Sequence, residues 1–259
     1  MEHNKQKGFT LVELSIVLVI IGLIVGGVLV GQDLIAAAKV RALVSQVEKF
    51  DAGGAAFQAK YAGRAGDILA ARASAFGLVG GGTVAVPLNV GDGDGVIEGT
   101  PTGGGAQSNN WATTVEMPDV WNHLTESALI PGVAVDASPA TKVGKGFWVA
   151  GSAGVPVGAL TPQAPGSKMY YFLTPAAPAA AGIPAIAGIV TPAEAYGFDN
   201  KLDDGLPTSG QTRSADGGTL DASTVSAPGA AVCNTGAAPI QYNLSTENNI
   251  CSLVVTAQN

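Results

Sequence analysis

Residues 8–39 read GFTLVELSIVLVIIGLIVGGVLVGQDLIAAAK, and from Phe9 to Gly31 the only ionisable side chain is Glu13. A helix rises ~1.5 Å per residue, so this run reaches roughly 35 Å and can cross the hydrocarbon core of a bilayer. A carboxylate carried that deep costs ~3 kcal/mol on insertion scales, so Glu13 needs a physical reason to be there. An ordinary secretory signal places a small-residue cleavage site after a short apolar core. Here the core is too long and is followed by Gln32 and Asp33, while the small residue open to cleavage, Gly8, precedes it.

The order Lys7-Gly8-Phe9-Thr10-Leu11-Val12-Glu13, continued by the apolar helix to residue 26, resembles the prepilin signal of type IV pilins and of the pseudopilins of type II secretion. The resemblance implies cleavage after Gly8 by a prepilin peptidase, methylation of the new amino terminus at Phe9, and Glu13 as the assembly residue. Methylation keeps the positive charge of the amine. Glu13 then lies one helical turn from its own amine and within reach of a neighbour's, which is what a buried carboxylate requires. The implied precursor is a single-pass protein of the inner membrane, and the implied product a periplasmic or extracellular filament. Its partners would be copies of itself, other pilins or pseudopilins, the peptidase and an inner-membrane assembly platform. The competing interpretation is a plain anchor in which Glu13 snorkels to the interface.

The chain has 259 residues, enough for this helix and a soluble domain of roughly 200 residues with a core of its own. With Gly 36 and Pro 15, the composition points to turns and short strands rather than a helical bundle. The formal net charge is -7, and loss of residues 1–8 removes Lys5 and Lys7 against Glu2, leaving about -8. That balance opposes phosphate-backbone binding, and no nucleic acid is expected as a partner. The two cysteines are Cys233 and Cys251. In an exported chain they suggest one disulfide, since neither a second Cys pair nor a nearby His exists to complete a zinc site.

Gly22 with Gly26, and Gly27 with Gly31, have a spacing that lets membrane helices approach closely, although glycine is common in such helices anyway. Beyond Gly31 the apolar positions Val40, Leu43, Val47, Phe50, Gly54, Phe57 and Tyr61 recur at steps of three and four. This predicts one helix continuing as an amphipathic stretch to about Ala62, its apolar stripe set into a sheet, with Gly53-Gly54 as a place where it could kink. Phe57, Tyr61 and Ala65-Gly66-Asp67 are similar to the aromatic end of the pilin helix and the Pro-Gly-Asp turn after it, with Ala65 in place of proline. The expected organisation is therefore a leader (1–8), a membrane and filament-core half-helix (9–31), an amphipathic half-helix (32–62) and a globular pilin-like domain (63–259).

Asn89-Val-Gly-Asp-Gly-Asp-Gly-Val-Ile-Glu98 offers Asp92, Asp94 and Glu98 among turn-forming glycines, the oxygen donors that calcium takes. It does not fit an EF-hand, and a solvated Gly-Asp turn explains the same residues. Trp111 to Ile130 reads as a short helix stopped by Pro131-Gly132, and its segment Val120 to Ile130 resembles a tryptophan-bearing helix of longer pilin-like proteins. His123 within it reads as a surface or packing residue. Strands are expected at 146–150, 168–173 and 253–256, with the Ala- and Pro-rich stretch 174–195 as an exposed loop. A second acidic cluster follows, Asp199-Asn-Lys-Leu-Asp-Asp-Gly205, similar to a segment before the last strands of the same pilin branch. It reads as a pinned loop, with calcium at Asp199, Asp203 and Asp204 as the alternative.

No nucleophile and base pair stands out. Gly151-Ser-Ala-Gly154 is not a nucleophile elbow, and neither a phosphate loop nor a His-based zinc motif is present. The expectation is an α+β, pilin-like fold: a long N-terminal helix, half transmembrane, packed on a small antiparallel sheet with long loops. The expected role is mechanical rather than enzymatic, with no cofactor beyond a possible calcium. The alternative from another class is a membrane-tethered periplasmic binding protein or enzyme that uses the pilin-like end only as an anchor.

Overall fold

The computed structural model describes residues 9–78, 91, 93, 95, 97, 116–131, 133, 139–143, 146–152, 169–175, 188–216, 233–235, 240–248 and 250–258. Gly8 and the loop residues Asp92, Asp94 and Glu98 lie outside them, as do Trp111 to Val115. The elements are α1 (Leu11–Tyr61), α2 (Ala70–Ala75), α3 (Glu116–Glu126), β1 (Phe147–Ser152), β2 (Met169–Thr174), α4 (Pro192–Leu202), β3 (Thr212–Asp216) and β4 (Cys251–Thr256). The chain divides into two units, residues 1–39 and 40–259.

In the first unit α1 is apolar on all sides. Its long side chains from Phe9 to Ile35 are exposed, and it is long and apolar enough to cross a membrane. The second unit begins where burial begins. Val40, Leu43, Val47, Phe50, Gly54, Phe57 and Tyr61 are all buried, as the three-four spacing requires, and Gln46 and Gly53 join them. Phe50 meets Trp121 of α3, Trp148 of β1 and Tyr171 of β2, with ring centroids 4.8, 6.1 and 5.6 Å away. One aromatic thus ties the helix to the sheet and to α3.

Gly53-Gly54 does not break α1, which is helical throughout. A Cβ at Gly53 would lie 3.3 Å from Ile130 Cγ1, so this glycine serves close packing rather than bending. Gln46 supplies the polar counterpart on the same stripe. Its Oε1 accepts from Trp148 Nε1 at 3.0 Å and from the Lys142 N–H at 3.1 Å, and its Nε2 donates to the Ala140 carbonyl at 2.8 Å. A buried amide is tolerated here because both of its ends are satisfied.

The sheet is antiparallel in the order β1-β2-β4-β3. The central strands β2 and β4 are buried along their whole length, so they read as apolar runs rather than alternating ones. The expected exposed loop at 174–195 needs correction at both ends. Thr174 is buried in β2, Val190 bridges to Cys251, and Pro192 opens α4. Proline fits that first helical position, where no N–H is needed, and Thr191 with Glu194 forms a reciprocal capping box. Cys233 and Cys251 form the disulfide, with a Cα–Cα distance of 5.0 Å.

Candidate functional site

At the start of α1, Thr10 is the residue before the first helical position. Its N–H and its hydroxyl donate to Glu13 Oε2 at 2.9 and 2.8 Å, and the Glu13 N–H lies 3.3 Å from Thr10 Oγ1. This is a capping box: each residue satisfies a backbone donor that the helix end leaves open. The signature Thr-x-x-Glu at 10–13 was present in the sequence, and it gives Glu13 a task inside a single chain. Both Thr10 donors take one carboxylate oxygen, so Oε1 stays available to a second donor.

The second acidic cluster is brought together by the C-terminal end of α4. Pro192, Ala195, Phe198 and Asp199 form the buried face of that helix, so Asp199 is carried inward with the apolar residues. Asp203 follows as the helix cap, with Asp204 next to it. Each of the three carboxylates places one oxygen within 4.8 Å of the others. Tyr242 donates its hydroxyl to Asp199 Oδ2 at 2.8 Å, and the Asp199 side chain is buried. Burial, with the charges of Asp204 and Asp203 adding to it, pushes the Asp199 carboxyl up to about 7, against the pull of the Tyr242 hydroxyl and the Gly205 amide.

The outer two carboxylates organise the loop into β3. Asp203 Oδ2 accepts from the N–H groups of Gln211 and Thr212. Asp204 accepts from the Leu206 N–H at 2.8 Å and from Ser209 Oγ at 2.6 Å. Gly210, in the left-handed region at φ 75°, leaves no room for a Cβ beside the Asp203 carboxylate. The expected loop is thus pinned from Asp203 onward, whereas Asp199 to Leu202 belong to α4, and Tyr242 is a partner that no sequence signal announces.

The first acidic loop is anchored by a residue outside it. Asp67 Oδ1 and Oδ2 accept from the N–H groups of Gly93 and Gly95 at 2.9 and 2.8 Å, while Arg64 Nη1 donates to the Gly95 carbonyl at 2.8 Å. Gly66 is left-handed at φ 95° despite Ala65 standing in place of proline. His123 is buried, stacks on Phe57 at 5.6 Å, and accepts from the Gly66 N–H at 2.9 Å. It is a packing residue.

Residues 3–29 match the family model for the prokaryotic N-terminal methylation motif, the prepilin signal of type IV pilins and pseudopilins. No curated protein and no solved structure matches the chain. The chain thus carries a pilin-type signal on an apolar helix, which fits a membrane-anchored precursor.

Proposed function

We propose that the chain is a structural subunit of a type IV pilus-like or pseudopilus filament, cleaved after Gly8, methylated at Phe9 and polymerised from the inner membrane. The observation that carries this reading is the methylation motif lying on a helix whose apolar side chains from Phe9 to Ile35 are uncovered. Apolar surface of that extent needs lipid or other copies of itself around it, at ~25 cal/mol for each Å² removed from water. Head-to-tail contacts between copies are the symmetry that produces an open filament. Glu13 would pair with the methylated amine of a neighbouring Phe9, so that leaving the membrane and choosing a register become one event. The role is non-enzymatic. Its partners are copies of the chain, other pilins or pseudopilins, the prepilin peptidase and the assembly platform.

The Thr10–Glu13 capping box favours a second reading, a tethered periplasmic binding protein or enzyme, because it explains Glu13 without any neighbour. Two variants separate the readings. Glu13→Gln keeps a capping-box side chain and removes the charge, whereas Glu13→Ala removes both. For a filament subunit, both variants stay in the membrane and their yield in sheared filaments falls at least about tenfold. For a tethered domain, Glu13→Gln behaves as wild type, and Glu13→Ala loses no more than a helix cap, about 1 kcal/mol.

A further inference from the structure

We propose that the turn at residues 243–246 of one copy docks, together with Glu247, into a groove beside α1 of the next copy. This contact rests on the filament reading and names which surfaces of the globular unit meet. The groove has a volume of about 540 Å³ and lies between α1 and the segment after α3, over Phe50, Ile130 and Val133, with Ala56 on one bank. Several of its polar groups are already used, because Gln46 takes up the Ala140 carbonyl and the Lys142 N–H. What remains is mostly apolar surface and two exposed lysines, Lys49 and Lys142. Among the described residues no carboxylate lines the groove, and neither lysine has an ion-pair partner.

Complementarity names the occupant. Leu244, 56% exposed, is the most exposed large apolar side chain of the second unit among the described residues. It stands on a turn in which the Thr246 N–H donates to the Asn243 carbonyl at 3.3 Å and the Ser245 hydroxyl donates to Asn243 Oδ1. The turn lies within the loop closed by Cys233 and Cys251, and the Asn243 N–H donates to the Cys233 carbonyl at 2.9 Å. It is therefore held in shape before a partner arrives, which lowers the ordering cost of docking. Glu247 is exposed and is the only charged residue in 240–248. An apolar tip beside one acid matches an apolar groove beside two cations. None of residues 240–248 lines the groove, so the turn meets it from another copy. Such a contact joins two different surfaces, the heterologous type that propagates into an open filament. Copies of formal net charge -7 repel one another, and here acid meets base instead.

The test uses the full-length chain in its own membranes, carrying Ala56→Cys and Leu244→Cys together, treated with a short bis-maleimide linker and read on denaturing gels. The native cysteines are bridged to each other and do not react. The expected result is a ladder of linked oligomers, absent when Phe76→Cys, at another exposed apolar position, stands in for Leu244→Cys. Glu247→Lys sets like charges against the groove and should lower the yield of the ladder at least about tenfold. Adding Lys49→Glu and Lys142→Glu to that variant should restore it. The proposal is overturned if the Ala56 and Leu244 pair gives no ladder, if the Phe76 control links equally, or if Glu247→Lys leaves the yield unchanged. A single adduct of constant mass in place of a ladder identifies a different partner and overturns it as well. Sheared filaments of the unsubstituted chain are scored separately. Filaments without a ladder overturn this contact and keep the filament reading, whereas a ladder in membranes without filaments keeps the contact and overturns that reading.

Discussion

Gly66 and His123 are joined by one hydrogen bond, in which the Gly66 N–H donates to the imidazole Nδ1 at 2.9 Å. The bond needs a neutral acceptor at Nδ1, and burial pushes the His123 pKa down to about 4 from its usual 6.5. Between those values the unfolded chain binds a proton that the folded chain refuses. Stability contributed by His123 is therefore complete above pH 6.5 and is lost as pH falls toward 4, on the order of 3 kcal/mol in all. Because Asp199, with its carboxyl pushed up to about 7, gains stability over the same range, the loss is read as a difference: wild type minus His123→Gln in denaturant unfolding should fall between pH 7 and pH 4.5.

Two left-handed positions near the end of α1 should respond to substitution with opposite signs. Gly66 sits at φ 95°, and a Cβ there would lie 2.7 Å from Val120 Cγ2. Gly66→Ala should destabilise by about 3 kcal/mol, from backbone strain and the clash together. Ala62 occupies φ 51° just past Tyr61, where helices usually place glycine, and it is exposed. Ala62→Gly should stabilise by up to about 1 kcal/mol, read as a raised Tm.

Much of the second unit was legible because periodicity and turn chemistry agreed. The stripe from Val40 to Tyr61 is buried as its spacing required, and β1, β2 and β4 lie on the expected apolar runs. What escaped has a physical reason in each case. The Ala- and Pro-rich composition before α4 masked the Thr191-Pro-Ala-Glu194 start signal, although that capping box is the kind a sequence shows. β3, reading TRSAD, is short and polar and sits at the sheet edge, so no alternation announces it. α2 spans only Ala70–Ala75 and has no side-chain cap. The link between Asp199 and Tyr242 joins residues far apart in the chain, and only the fold brings them together.

Gln46 offers a test of the helix–sheet contact. Replacing it with leucine keeps the volume but leaves Trp148 Nε1 and the Lys142 N–H without their acceptor. Gln46→Leu should cost about 3 kcal/mol, more than a surface change and comparable to a core cavity. Circular dichroism melts of the two chains under identical conditions measure it.

The Cys233–Cys251 disulfide closes a separation of 18 residues and holds the start of β4, where Cys251 also pairs with Val190 and Asp216. In the chain-entropy model such a link stabilises by about 3 kcal/mol. The double variant Cys233→Ser, Cys251→Ser should lower the free energy of unfolding by about that amount, measured against the oxidised chain in urea.

The most direct test of a filament subunit is intact mass with N-terminal sequencing of the chain from its native membrane and from material sheared off the cells. The expected chain begins at Phe9 and carries one added methyl group. A chain that still begins at Met1 in the membrane fraction would contradict processing, and with it the filament role.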